Sequence, residues 1–226
     1  FLDRGDVAAA IADYSMALEQ FDRVGRADGR AKALNNLGYA HMLAGDLVRS
    51  LRLFADAYEI LRIEAPALLA TLDQDRAEAL LSAGLSEEAE QLLRSAAARF
   101  GARRVRLRQA GAEMSLAQLL AWDDPRAAAR VAARAARRFE RSGAPHQALR
   151  SLAVKAACDL ARGVADIVEA ERLLTELREL GLQRDVRQLQ ILLAGAKGQA
   201  SALRLPPNTP LPLRLIAADQ IGRAHV

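Results

Sequence analysis

The sequence predicts an all-α chain built as a solenoid of antiparallel helix pairs, with a unit that recurs every 39–40 residues. Three observations predict it. Ala, Leu and Arg dominate the 226 residues, and aromatics make up only 4%; strong helix formers with little β-branching favour helix. Turn-like pairs recur at Gly5-Asp6, Gly45-Asp46, Gly84-Leu85, Asp123-Asp124 and Gly163-Val164, at intervals of 40, 39, 39 and 40. After each of the first four turns a small–large–small pattern returns at i, i+4, i+7: Ala10, Tyr14, Ala17; Ser50, Phe54, Ala57; Ala89, Leu93, Ala96; Ala128, Ala132, Ala135. That spacing marks one face of a helix. Small residues let a neighbouring helix approach, and the larger one fills the gap between them.

The elements follow in order. A helix after Gly5-Asp6 forms half a repeat. A second helix spans 31–43, with Leu34, Leu37, Gly38 and Leu43 on its packing side, and its counterparts run over 66–83, 103–121 and 145–161. Gly ends a helix by adopting a left-handed conformation, and Asp or Ser beyond it can cap the next one. Ser86-Glu87-Glu88-Ala89 and Asp124-Pro125-Arg126 read as such starts, with Pro125 at the first helical position. A last helix covers 183–196. The array is expected over 1–200, followed by an extended Pro-rich linker over 201–220, where Pro206, Pro207, Pro210 and Pro212 exclude helix. The closing Ile221-Gly222-Arg223-Ala224-His225-Val226 matches one reading frame of a short-read sequencing adapter, so 221–226 is expected to be adapter read-through. Phe1 in place of Met, and an opening that reads as a turn, predict that a preceding helix is missing.

Composition narrows the function classes. A single cysteine, Cys158, excludes an intrachain disulfide framework and fits a reducing, cytoplasmic setting; its apolar surroundings predict a buried thiol. No run is long and apolar enough to span a membrane, and no signal peptide is visible. Of the 32 basic residues only Lys32, Lys155 and Lys197 are lysine, a bias that a GC-rich genome explains.

The run Leu34-Asn35-Asn36-Leu37-Gly38-Tyr39-Ala40-His41, through Gly45-Asp46 to Ser50, Phe54 and Ala57, resembles a tetratricopeptide (TPR) unit. Leu34, Leu37-Gly38, Phe54 and Ala57 match the family pattern, while His41 stands for its aromatic and Ser50 for its alanine. The resemblance implies a right-handed superhelix whose concave groove holds a protein or peptide. The segment 75–85, then Glu88-Ala89-Glu90, then 135–143 resemble the amino-terminal arrays of actinobacterial CHAT-domain proteins, which carry a caspase-like peptidase after the repeats. This implies a regulatory array attached to a C-terminal peptidase domain absent from these residues. Cys158 and His146 lack the context of that family's dyad and take no such role.

Catalysis finds no support in the residues. His41 and His146 have no motif around them, no Cys/His/carboxylate cluster has metal-ligand spacing, and no phosphate loop is present. No enzyme activity, metal or cofactor is therefore expected. The TPR resemblance places Lys32, Asn35, Asn36 and Tyr39 in the groove. The same positions one period on are Thr71, Gln74, Asp75 and Glu78, and a further period gives Ala110, Glu113, Met114 and Ala117. An asparagine amide can both donate to and accept from a peptide backbone, which favours Asn35 and Asn36. A solvated helix face is the competing reading.

Charge is split along the chain. Residues 1–98 hold 10 basic and 16 acidic side chains and residues 99–226 hold 22 and 12, net −6 and +10. Arg126, Arg130, Arg134, Arg138 and Arg141 recur at helical spacing as a basic docking stripe, and Arg99, Arg103 and Arg106 form another. Such stripes suit an acidic protein surface or nucleic-acid phosphates. Protein is favoured, because Phe100, Trp122 and Phe139 are expected in packing rather than in base stacking. The sequence thus predicts an interaction scaffold. Its alternatives are the ligand-sensing TPR region of a bacterial transcriptional regulator, and a nucleic-acid-binding repeat that uses the arginine stripe.

Overall fold

The structure is a computed structural model that describes residues 4–197; the expected linker at 201–220 and the segment 221–226 lie outside the described residues. All the regular structure described is helical. Ten α-helices follow one another: α1 (Arg4–Arg23), α2 (Ala27–Leu43), α3 (Leu47–Glu64), α4 (Leu69–Ser82), α5 (Ser86–Ala102), α6 (Arg106–Leu120), α7 (Pro125–Arg141), α8 (Pro145–Ala161), α9 (Ile167–Glu179) and α10 (Gln183–Ala196). A 3-10 turn, Pro66–Leu68, precedes α4. Helices pack mainly on their sequence neighbours, with α2 also meeting α4. The chain divides into two compact units, one ending at Val105 and one beginning at Arg106.

The predicted packing triplets form the core. Ser50, Phe54, Ala57, Ala89, Leu93, Ala96, Ala128, Ala132 and Ala135 are all fully enclosed. Ala10, Tyr14 and Ala17 are only half-buried, because among the described residues α1 packs chiefly on α2. The spacing continues unannounced in α9 as Ala170, Leu174 and Leu177, all buried. In the first unit Phe54 lies against Gly38: a Cβ built there would meet the ring at 3.0 Å. The Leu-Gly step in α2 is therefore a contact requirement, since only a missing side chain lets the two helices close on the ring.

Among the described residues, the turns that close at Gly25, Gly45, Gly84, Arg104, Gly143, Gly163 and Gly181 share one construction, whereas the α3–α4 and α6–α7 connections do not. At the end of α2 the Gly45 amide donates to the Met42 carbonyl (3.0 Å) and the Asp46 amide to the His41 carbonyl (2.9 Å), with Gly45 at φ 86. This paired closure satisfies carbonyls the helix leaves open. Between α5 and α6 the same two bonds form, Arg104 to Gly101 and Val105 to Phe100, but the left-handed residue is Arg104 at φ 59. A side chain in that conformation costs about 1 kcal/mol that glycine avoids.

Four details differ from the sequence reading. The first helix begins at Arg4, so Gly5-Asp6 falls inside it rather than before it. Helix α2 begins at Ala27, a turn earlier than expected. Leu85, not Ser86, occupies the cap position of α5, because the turn closure at Gly84 already commits that residue. Trp122 is 58% exposed in the α6–α7 turn, whereas Phe100 and Phe139 pack as expected. Asp124 does cap α7, accepting from the Ala127 amide at 2.8 Å, and Asp46 and Asp166 cap α3 and α9 in the same way.

Candidate partner-binding faces

On α2, Lys32, Asn35, Asn36 and Tyr39 share one face, and on α4 Thr71, Gln74, Asp75 and Glu78 share its counterpart. The structure brings the two strips together. The Asn35 amide nitrogen donates to Asp75 Oδ2 at 2.8 Å, and the Tyr39 hydroxyl donates to Glu78 Oε2 at 3.3 Å. Tyr39 and Glu78 are equivalent positions 39 residues apart, and Asn35 reaches one residue past its own equivalent, Gln74, so the two strips bond to one another. Burial and the nearby Asp75 charge push the Glu78 carboxyl up. Burial and then Glu78 itself push the Tyr39 phenol up to about 12. The pair thus keeps the phenol protonated and donating.

What remains available on this face is narrower than the predicted set. Asn36 and Lys32 are exposed, with Lys32 3.7 Å from Asp28 on its own helix. Asn35 Oδ1 and Gln74 Oε1 are enclosed acceptors with no hydrogen-bond partner. Thr71, Asp75 and Glu78 are half-buried.

Glu113 is a correction. The burial pattern of α2 recurs in α4 after 39 residues, but that of α4 recurs in α6 after 40. Continuing at 39 therefore lands one residue off the groove and onto the core. Ala110, Met114 and Ala117 are buried. Glu113, 4% exposed in its side chain, accepts from Arg134 Nε at 2.7 Å and from Arg138 Nε at 2.9 Å. It holds α6 to α7 and faces no partner. The α6 positions equivalent to Thr71, Asp75 and Glu78 are Gly111, Ser115 and Gln118, which are half-buried or exposed. The extra residue lies before α6, since the buried faces of α5 and α6 are 24 residues apart (Ala89 to Glu113) where those of α3 and α4 are 23 apart (Ser50 to Asp73).

The arginine stripe is also divided. Arg134 and Arg138 are drawn onto Glu113, while Arg141 stays exposed. Arg126 and Arg130 line an open groove of about 300 Å³ between α7 and α8, together with Lys155, Asp159 and Arg162. Of the second stripe, Arg99 lies 3.6 Å from Asp73 and Arg103 donates to the Ala67 carbonyl at 2.6 Å. The helical period was legible; which cations were already committed was not.

The candidate chemical groups are quiet. Cys158 is buried and its thiol is pushed up to about 11 by burial. Burial, and then the Arg49 charge, hold His41 below its usual value, while Asp46 at 3.6 Å acts against them; its Nε2 has no partner. His146 is exposed at the start of α8.

No protein-family model matches the chain, and no curated protein matches it. Among solved structures, the chain is similar to BtubC (BKLC) from P. vanneervenii, with a TM-score of 0.66 at 17% identity. The match covers 97% of this chain and 89% of that one. At such identity the likeness establishes a helical fold in common and nothing about activity.

Proposed function

We propose that the chain is a protein–protein interaction scaffold, the sensing array of a CHAT-type protein in which partner binding biases an attached peptidase domain. The observation that carries the scaffold reading is the α2–α4 strip. There Asn35–Asp75 and Tyr39–Glu78 bonds lock two repeats into one continuous polar face, flanked by exposed Asn36 and Lys32. Preorganised polar faces of this kind reduce the ordering cost of binding a peptide. The CHAT reading rests on the resemblance of the 75–85 and 135–143 segments. Against a nucleic-acid role stands the internal use of Arg134 and Arg138, which interrupts the stripe.

The test places a photo-crosslinking amino acid at Asn36, or at the exposed Arg52 of α3, in the intact polypeptide within its native cells. Partner peptides captured from position 36 but not from position 52 support the groove. Equal capture at both, or none at 36, removes it. Loss of partner-dependent cleavage on Asn36→Ala then supports the peptidase link, and unchanged cleavage rejects it.

A further inference from the structure

The groove between α7 and α8 carries a charge imbalance that the fold does not use. Arg126 and Arg130 stand one helical turn apart on α7, and both are exposed. No ion pair to either is found among the described residues, unlike Arg134 and Arg138 further along the same helix. Across the groove, α8 presents Lys155, with Arg162 just beyond its end. Both reach one carboxylate, Asp159, at 2.7 and 3.1 Å. Four cations therefore surround one anion, and Asp159, 14% exposed, anchors the two on the α8 side rather than meeting solvent. Ala129 and Ala133 form the floor, so small side chains leave the cations standing around a trough.

We propose that this groove is a docking site for an acidic peptide segment of a partner protein. Three features favour a compact carboxylate cluster over a nucleic acid. The lining holds no aromatic ring on which a base could stack. The stripe that would track a phosphate backbone ends where Arg134 and Arg138 turn to Glu113. The Asp159 carboxylate sits inside the groove, where a continuous polyanion must pass it. Guanidinium forks pair with carboxylates in planar, bidentate geometry, and Arg126 and Arg130, about 6 Å apart along the axis, match two Glu residues one turn apart on a bound helix. The proposal rests on the scaffold reading and supplies the chemistry of a partner.

The test uses fluorescence anisotropy on the full chain with a labelled hexaglutamate peptide, and with oligothymidylate of equal charge. Binding of the peptide is expected to weaken about tenfold when Arg126→Glu and Arg130→Glu are combined. It should change less than about twofold for Arg52→Glu with Arg178→Glu, which alters net charge equally on exposed sites elsewhere. Asp159→Asn is expected to tighten binding, because it removes the one repelling charge and releases two cations. Melting curves confirm that each variant folds. No peptide binding, equal weakening by the two double reversals, weaker binding in Asp159→Asn, or tighter binding of the oligonucleotide would each overturn the proposal. Failure here, alongside successful capture at position 36, leaves the scaffold reading intact.

Discussion

Asp73 in the first unit and Glu113 in the second occupy one position of the repeat, 40 residues apart, and the preceding repeat fills it with Leu34. All three are buried. Leu34 packs in the apolar cluster with Phe54 and Leu72. Asp73 has Ser95 Oγ at 3.4 Å and Arg99 at 3.6 Å, and burial pushes its carboxyl up. Glu113 has Arg134 and Arg138 at the positions corresponding to Ser95 and Arg99, both at close hydrogen-bond distance. One methylene and one Ser-to-Arg exchange thus separate a poorly compensated buried charge from a clamped one. A repeat fold can hold its backbone constant while the same site passes from grease to strain to ion pair.

The comparison breaks most visibly if the clamp is removed from the second unit. Combining Arg134→Ala and Arg138→Ala strands Glu113, and should cost about 3 kcal/mol in urea unfolding. A loss below about 1 kcal/mol would show that the pairs contribute no more than exposed ones do. Removing the acid instead should cost less: Glu113→Leu leaves two arginines that are partly exposed and can turn to water, for about 1 kcal/mol.

In the first unit the sign should reverse. Asp73→Leu, which restores the residue type of the preceding repeat, should stabilise by about 1 kcal/mol at neutral pH. Because the folded pKa of Asp73 is raised, its contribution is best when protonated and worsens as pH rises through that value. The gain from leucine should therefore shrink as pH falls towards the unfolded carboxyl pKa of about 4. A gain independent of pH would assign it to packing alone. The smallest effect sharpens the comparison: Ser95→Arg copies the clamp, and should add about 0.5 kcal/mol while lowering the Asp73 pKa in a carboxyl NMR titration. An unmoved titration would mean that the arginine does not reach the carboxylate.

Much of this architecture could be read before the structure. Triplets such as Ser50, Phe54 and Ala57 report helix-on-helix contact directly, because only small side chains permit the approach. The sequence placed Asn35, Tyr39, Asp75 and Glu78 on equivalent faces of α2 and α4, but not the bonds that join Asn35 to Asp75 and Tyr39 to Glu78. What failed was fine register and charge bookkeeping. A single additional residue between the buried faces of α5 and α6 moved Glu113 onto the core, and no local pattern announces a slip of that size. The stripe on α7 reads as one surface in sequence, yet its fate depends on a carboxylate 21 to 25 residues upstream. Trp122 was misplaced as well: it falls in the α6–α7 turn, outside the helical periodicity that reports burial, and is 58% exposed.

The buried Cys158 gives the second unit an internal clock. Its thiol lies within α8, and a thiol-reactive dye needs both access and the thiolate, which burial withholds. Labelling must wait for α8 to lift away from its neighbours. With no other thiol in the chain, the rate of dye uptake times that opening, and a ligand bound to the second unit would register as a slower tick without any engineered probe.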